Sequence, residues 1–181
     1  FSYIPTDFKQ NYDSLYTHIT SNNTIYGTQY KVFPEIRNTD SFLVADMSSD
    51  ILSRHVDVSK FGIIYAGAQK NIGPAGVTVV IIRKNLIGKG YRDLPAMLDY
   101  DVHARKKSMF NTPPVFSVYV VNETLKWIDE LGGVEAIEKI NARKAKKLYV
   151  EIDRNAIFRS PVQSKDRSMM NIPFVFNDVN M

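Results

Sequence analysis

Short apolar runs recur through the first half of the chain. Residues 41–45, 62–66 and 77–82 are each dominated by apolar side chains, and the last run is β-branched almost throughout. Continuous runs of this kind are typical of strands buried on both faces of an α/β sheet. Residues 15–20 are rich in strand-forming side chains, and residues 29–33 alternate as a half-buried strand does. The pattern therefore predicts five strands in this half.

The second half changes to helical spacing. Apolar residues recur three or four positions apart from Val115 to Leu131, after a Pro-Pro pair and before a Gly-Gly pair. Proline suits the start of a helix and glycine its end, so both limits are marked. A second periodic segment runs from Val134 to Ile152, with acidic residues early and basic residues late, the order that the helix dipole favours. Residues 171–176 predict one more strand.

Composition indicates an ordinary globular protein. The chain has 181 residues, 44% of them hydrophobic, and no apolar run approaches the roughly 20 residues that span a bilayer. Net charge is +4, but the basic residues are dispersed, which argues against a nucleic-acid partner. The absence of cysteine excludes disulfides and thiolate metal sites and is compatible with a reducing cytoplasm. The scattered histidines His18, His55 and His103 do not suggest a metal site.

Two residues of opposite charge follow consecutive apolar runs. Asp46 comes directly after residues 41–45, and Lys70 lies in a glycine-rich loop after residues 62–66. Open α/β sheets place their sites just beyond the carboxyl ends of strands. Taken singly, Lys70 fits an exposed loop lysine and Asp46 a turn or capping residue. Taken together, they match pyridoxal phosphate, which needs a lysine amine for its aldehyde and a carboxylate for its ring nitrogen.

The glycine-rich loop has a competing interpretation as a nucleotide phosphate-binding loop. It lacks the Gly-Lys-Ser/Thr ending of a P-loop and the spacing of a dinucleotide-binding fingerprint. Gly67, Gly73 and Gly76 instead allow close backbone approach and positive φ around the lysine, and Pro74 fixes one turn. We therefore reject nucleotide binding.

Longer motifs around these residues resemble those of the phosphoserine aminotransferase family, which belongs to the class V aminotransferases with the type I pyridoxal-phosphate fold. The resemblance is carried by residues 45–54, 57–62, 65–77, 108–114 and 167–174, in the family's order. The motifs YAGAQKNIGPAGV and SMFNTPP are specific to this family within class V. The resemblance implies an α/β fold with a mixed, mostly parallel sheet flanked by helices.

The resemblance also implies roles for individual residues. Lys70 matches the Schiff-base lysine and Asp46 the partner of the pyridine nitrogen. The remaining matches are further cofactor contacts, namely Thr24, Gln69, Asn111 and Thr112. The last two match residues that reach the cofactor phosphate of the neighbouring subunit, which implies a homodimer with shared active sites. One departure is Asn22-Asn23-Thr24, where the family usually has Asn-Glu-Thr.

Family chains are about twice as long, so the resemblance implies a central fragment. Residues 1–153 would belong to the large cofactor-binding domain, incomplete at its N-terminal side, and residues 154–181 would begin a truncated small domain. The phosphate loop, the tryptophan that stacks on the cofactor and the substrate-binding motifs are expected outside this sequence. Trp127 falls within a predicted helix and does not match the stacking tryptophan.

The activity that the resemblance implies is pyridoxal-phosphate-dependent transfer of an amino group between glutamate and 3-phosphohydroxypyruvate, a phosphorylated 2-oxo acid, giving O-phosphoserine and 2-oxoglutarate. This step serves serine biosynthesis and, in bacteria, a related step serves pyridoxal phosphate biosynthesis. One alternative is another class V enzyme, such as an alanine–glyoxylate aminotransferase; a cysteine desulfurase would need a cysteine, which this chain lacks. Another is a catalytically incomplete fragment that acts only as a structural core.

Overall fold

A four-stranded sheet is the centre of the computed structural model, which describes residues 1–38, 40–90 and 93–177. The strands, in spatial order, are β1 (Tyr16–Thr20), β2 (Phe42–Asp46), β3 (Phe61–Gly67) and β4 (Thr78–Ile82). β1, β2 and β3 are parallel, and β4 runs antiparallel to β3. The predicted mixed, mostly parallel sheet is therefore confirmed.

Three α-helices follow the sheet in the described part of the chain: α1 (Tyr100–Arg105), α2 (Val115–Glu130) and α3 (Gly133–Arg154). α2 begins directly after Pro114, and α3 begins after Gly132, whose φ of 100° few other residues adopt. Both predicted helices are confirmed. α1 was not predicted, because six residues are too few to establish a periodic pattern. No helix of the described ranges combines the length and apolar character needed to cross a bilayer.

The hydrophobic core lies on one face of the sheet. Strand residues that alternate onto this face are almost fully buried, and the loops after β2 and β3 and helix α2 cover them, giving a cluster that includes Ile19, Leu43, Ala45, Met47, Ile51, Ile64, Ala66, Ile72 and Val121. The opposite face is more open, and Tyr16 on it is 53% exposed. The prediction of a strand buried on both faces is therefore wrong for β4, in which no residue is fully buried because one face alone of the sheet is well packed.

Residues 29–33 do not form the predicted strand. Gln29 makes an isolated antiparallel bridge with Asn22, and its N–H donates to the Asp166 carbonyl at 2.9 Å. The buried Gln29 side chain accepts a hydrogen bond from Met169 N at 3.1 Å. The hydrogen bonds at the start of this segment therefore go to a distant part of the chain instead of a continuous strand ladder.

That distant part is residues 164–173, which we call the C-terminal arm. Ser168 N donates to the Gly27 carbonyl at 2.8 Å, and Thr28 forms an isolated bridge with Arg167. Because the arm pairs with this loop, the predicted strand at residues 171–176 is shorter than expected. It is limited to β6 (Val175–Phe176), which is antiparallel to β5 (Phe158–Arg159).

Contact between the arm and Gly27 gives a test of this packing. Gly27 has a φ of 70°, and an added Cβ would collide with the ring of Pro173. Gly27→Ala should lower the free energy of unfolding by about 2–4 kcal/mol, combining left-handed strain with overpacking. Gly88 has a φ of 75° and open space around it, so Gly88→Ala should cost only about 1 kcal/mol. Urea denaturation measures both, and equal losses would contradict the proposed packing.

Candidate active site

The carboxyl ends of the three parallel strands meet at one edge of the sheet. The register places Thr20 of β1 beside Asp46 of β2, and β3 leads directly into the loop that carries Lys70. Thr24 follows β1, and its Oγ1 accepts a hydrogen bond from Lys70 Nζ at 2.7 Å. The structure thus brings the predicted residues Lys70 and Thr24 together at the edge where Asp46 ends its strand.

Lys70 is exposed on a turn that buried neighbours hold in place. Ala68 and Ile72 are buried, and the Ala68 carbonyl accepts hydrogen bonds from Ile72 N at 3.2 Å and Gly73 N at 2.9 Å. Asn71 Nδ2 donates to the Ile51 carbonyl at 2.6 Å, which ties this turn to the loop after β2. The backbone beside the lysine is therefore fixed, while its amine faces outward.

Helix α2 supports the same loop from the core side. A Cβ on Gly73 would lie 2.8 Å from Val121 Cγ2, so glycine allows the helix to approach closely. Ser117, also on α2, donates a hydrogen bond from Oγ to the Ala75 carbonyl at 3.0 Å. Helix α2, which follows the Asn-Thr-Pro-Pro motif at residues 111–114, thus helps to set the position of the lysine loop.

Asp46 is half-buried and its carboxylate is oriented by its own loop. Asp46 Oδ1 accepts a hydrogen bond from Ser48 N at 2.9 Å. Ser48 Oγ in turn accepts from Gly67 N at 3.0 Å, which links the loop after β2 to the end of β3. These contacts hold the carboxylate at the same sheet edge as the lysine loop.

The remaining predicted residues lie in two places. Gln69 is exposed beside Lys70, and its amide folds over Gly67, where an added Cβ would lie 2.5 Å from Gln69 Oε1. Asn111 and Thr112 are exposed in the loop between α1 and α2, where Asn111 Nδ2 contacts Met97 Sδ at 2.7 Å. Within the described ranges, no hydrogen bond joins Asn111 or Thr112 to Lys70, Asp46 or Thr24.

Comparison with known proteins assigns the chain to a family. The model of the family "Aminotransferase class-V" matches residues 8–181. The chain belongs to the class V aminotransferase family. The resemblance seen in the sequence is thereby confirmed, and the Lys70 loop and Asp46 lie inside the matched region.

Within the class V aminotransferases, several similar proteins carry one name. The chain is 52% identical to phosphoserine aminotransferase of Flavobacterium psychrophilum, over 99% of this chain and 50% of that protein. A solved structure of a phosphoserine aminotransferase, which describes radiation damage of its Schiff base, shares 49% identity with this chain. Its TM-score is 0.94 over 99% of this chain and 50% of that one. The structure of a phosphoserine aminotransferase from Trichomonas vaginalis with bound pyridoxal phosphate (PLP) shares 38% identity. Its TM-score is 0.92 over 99% of this chain and 52% of that one. The chain spans about half the length of the curated relatives it matches.

A buried polar network beneath the site was not predicted from the sequence. Asn22, which is 1% exposed, donates from Nδ2 to Ser49 Oγ at 2.8 Å and to Asn171 Oδ1 at 2.6 Å. Its Oδ1 accepts a hydrogen bond from the hydroxyl of Ser168. Because every polar group of this amide has a partner, Asn22 joins the loop of Thr24 to the loop after β2 and to the C-terminal arm.

Asp50 is the ionisable member of this network. Its carboxyl contacts the Ser21 hydroxyl and accepts a hydrogen bond from Gln29 Nε2 at 3.2 Å. Burial raises the pKa of Asp50 above its usual value, although the bonds from Ser21 and Gln29 and the charge of Arg54 oppose the shift. The Ser21 hydroxyl also lies 3.0 Å from the Asp46 carbonyl, so its single proton faces two acceptors.

Neither Asn22 nor Asp50 had a sequence signal that separated it from surface turn residues. Both stand in short polar clusters, Ser21-Asn-Asn-Thr24 and Ser48-Ser-Asp50, that match solvent-exposed turns equally well. Their partners are distant in sequence: Asn22 contacts the C-terminal arm, and Asp50 contacts Ser21 and Gln29. Among the described residues, no group of three or more His, Asp or Glu side chains is placed to hold a metal ion.

The raised pKa of Asp50 predicts a pH-dependent effect of Asp50→Asn. A carboxyl whose pKa is raised in the folded protein lowers stability as the pH rises from about 4, its unfolded pKa, through its folded pKa. The neutral amide does not ionise, donates to Ser21 and still accepts from Gln29. The variant should therefore gain stability relative to the wild type with rising pH, by about 1 kcal/mol near neutrality.

Urea denaturation between about pH 4 and pH 8 measures this gain. Asp57 provides a matched control, because the Ser59 hydroxyl and N–H lower the pKa of this exposed carboxyl. Asp57→Asn should therefore show the opposite sign, losing stability relative to the wild type as the pH rises from acidic values. A stability difference for Asp50→Asn that does not vary with pH would contradict the raised pKa of Asp50 in the folded protein.

Proposed function

We propose that this chain carries the cofactor-binding lysine of a pyridoxal-phosphate-dependent phosphoserine aminotransferase. The reaction would transfer an amino group between glutamate and 3-phosphohydroxypyruvate, giving O-phosphoserine and 2-oxoglutarate. The observation that carries the proposal is the 2.7 Å contact between Lys70 Nζ and Thr24 Oγ1 at the sheet edge that also holds Asp46. The name shared by relatives at about 50% identity supports the choice of substrates.

The residues at this edge fit pyridoxal phosphate. An exposed amine, Lys70, can reach an aldehyde, and a half-buried carboxylate, Asp46, can accept a hydrogen bond from a protonated ring nitrogen. Thr24 and Gln69 add a hydroxyl and an amide on the same side of the sheet. When bound, the cofactor would supply an electron sink for the bond changes at the substrate α-carbon.

Lys70 would first hold the cofactor covalently and then move protons. The Lys70 amine would hold the cofactor aldehyde and, when it is not bound there, would remove a proton at the substrate α-carbon. Thr24 would orient that amine, because its Oγ1 already accepts a hydrogen bond from Nζ. The packed turn on which Lys70 stands limits how far the amine can move.

Asp46 would keep the ring nitrogen protonated. A carboxylate beside this nitrogen stabilises the positive charge, which lets the ring accept electrons from the substrate. Ser48 N holds one carboxylate oxygen at 2.9 Å, so the Asp46 side chain is oriented before any ligand arrives. Preorganised groups of this kind need little rearrangement during the reaction.

A second copy of the chain would complete the site. Asn111 and Thr112 are exposed and would contact the cofactor phosphate of the neighbouring subunit in a homodimer. Apolar side chains of the following helix support such an interface: Val115, Phe116 and Trp127 are 67%, 73% and 53% exposed. Apolar groups on this scale usually mark protein–protein contact surfaces.

The wider biology follows from the same proposal. The reaction would serve serine biosynthesis and, in a bacterium, pyridoxine biosynthesis as well, in the cytoplasm. Residues 1–153 would form part of the large cofactor-binding domain and residues 154–181 the beginning of a small domain. The separate two-stranded sheet of β5 and β6 supports a boundary near the end of α3.

Replacement of the lysine tests the proposal directly in the whole protein that carries this chain. Borohydride reduction of the protein with pyridoxal phosphate, followed by peptide mapping, should place the cofactor on Lys70. Lys70→Ala should abolish this adduct because no other amine has the same position. Lys60→Ala, just before β3 at the opposite end of the strand, should leave it unchanged. An adduct on another lysine of the wild type would refute the role.

Replacement of Asp46 tests the electronic part of the proposal. Asp46→Ala should keep some bound cofactor but lower kcat about 100-fold or more, as loss of a preorganised charged group does. Asp57→Ala, which removes a carboxylate before the other end of β3, is the matched control and should retain normal turnover. Steady-state assay with glutamate and 3-phosphohydroxypyruvate measures both, and near-normal turnover by Asp46→Ala would exclude the role.

A further inference from the structure

The loop that carries Thr24 is held at both ends by one residue of the C-terminal arm. Ser168 N donates to the Gly27 carbonyl at 2.8 Å. The hydroxyl of the same residue donates to Asn22 Oδ1, at the other end of the loop. Ser168 is fully buried. A single residue without access to solvent therefore connects the two positions that flank the threonine.

All hydrogen-bonding positions of the Ser168 hydroxyl are occupied. Met170 N and Asn171 N donate to its oxygen at 2.9 and 3.0 Å, which uses both lone pairs. Its single proton goes to the side-chain oxygen of Asn22. Because this contact is buried, loss of the hydroxyl would leave the Asn22 oxygen without its partner, at a cost that bulk water does not offset.

Between its two ends the loop is held together by its own hydrogen bonds. Asn23 N donates to the Thr28 carbonyl at 2.8 Å, and Gly27 N donates to the Asn23 carbonyl at 2.9 Å. Asn23 Oδ1 also accepts from the N–H groups two and three positions later, at 3.1 and 3.0 Å. Side-chain bonds of this kind stabilise tight turns. The loop therefore moves as a unit, and displacement of its ends displaces the Thr24 hydroxyl.

Helix α3 in turn holds Ser168. Tyr149 Oη donates to the Ser168 carbonyl at 2.9 Å. The preceding residue, Arg167, forms paired hydrogen bonds with Asp153 at 2.6 and 2.7 Å, and its guanidinium lies 4.6 Å from the centre of the Tyr149 ring. Paired contacts between a guanidinium and a carboxylate fix the orientation of both groups. The arm is thus anchored to α3 at the position from which it holds the loop.

We infer that Ser168 is a positioning residue for Thr24, and that it thereby sets where the Lys70 amine stands. The link from loop to amine is the 2.7 Å contact between Thr24 Oγ1 and Lys70 Nζ. The inference rests on the proposed function and extends it past the boundary proposed near the end of α3. A residue of the segment that would begin the small domain keeps a cofactor-binding loop of the large domain in place.

Hydrogen–deuterium exchange of the whole protein without cofactor tests the structural step. Ser168→Ala removes the hydroxyl, so the Asn23 and Gly27 amides should exchange about 10-fold faster, while amides of α2 keep their wild-type rate. Ser164→Ala makes the same change at an exposed position of the same arm and should leave the loop unaffected. Unchanged exchange in the loop of Ser168→Ala, or an equal acceleration in α2, would overturn the inference.

Turnover of the whole protein tests whether the effect passes through Thr24. Ser168→Ala should lower kcat about 10-fold and leave the KM for glutamate unchanged, because a misplaced catalytic group slows the chemical step. Thr24→Ala should lower kcat as well. Adding Ser168→Ala to Thr24→Ala should cost less than about 2-fold more, since the hydroxyl to be positioned is already gone. Fully additive losses would indicate a general structural effect and would overturn the inference.

Tyr149→Phe reaches the same residue from α3 and leaves the partners of Asn22 in place. It removes the hydroxyl that donates to the Ser168 carbonyl and keeps the ring that contacts Arg167. It should give the same pattern to a smaller extent, with faster exchange in the loop and a loss of kcat that Thr24→Ala masks. Additive losses in an active protein would overturn this inference alone. A wild-type protein without aminotransferase activity would overturn the proposed function and this inference together.

Discussion

The parallel pairing of β1, β2 and β3 is the constraint on which the site depends. Parallel strands deliver their carboxyl ends to one edge, so residues far apart in sequence, such as Thr24, Asp46 and Lys70, are grouped without any of them forming part of the core. A one-residue shift of β2 would turn Asp46 away from its present face and remove the carboxylate from the group. The core on the opposite face prevents that shift, because Leu43 and Ala45 would then lose their buried positions.

Two elements support the sheet edge that carries Thr24, Asp46 and Lys70. Helix α2 packs against the lysine loop through Val121 and Ser117, and the C-terminal arm closes the polar network under the loop of Thr24. The network consists of buried hydrogen bonds, which are directional and costly to leave unmade. It therefore fixes the loop orientation more tightly than apolar packing would. In this arrangement the exposed reactive groups stand on rigid backbone, a combination that suits covalent binding of a small ligand.

The sequence was informative where the signal was local. Apolar runs located β2, β3 and β4, and a segment rich in strand-forming residues located β1. Periodicity with proline and glycine limits located α2 and α3, and the placement of Asp46 and Lys70 after consecutive runs indicated the site. Contacts between distant segments were not predictable in this way. The alternation of residues 29–33 suggested a strand because nothing local shows that Gln29 pairs with the C-terminal arm. The burial of Asp50 and the contact between His18 and Tyr65 likewise follow from strand order and tertiary packing, not from neighbouring residues.

The central claim is that an amine and a carboxylate at one sheet edge hold opposite ends of the same aromatic aldehyde. A crystal structure of the whole protein grown with pyridoxal phosphate measures this most directly. The account predicts continuous electron density between Lys70 Nζ and the aldehyde carbon, with an Asp46 carboxylate oxygen within hydrogen-bond distance of the ring nitrogen. A cofactor bound elsewhere, or one whose ring nitrogen faces away from Asp46, would contradict it.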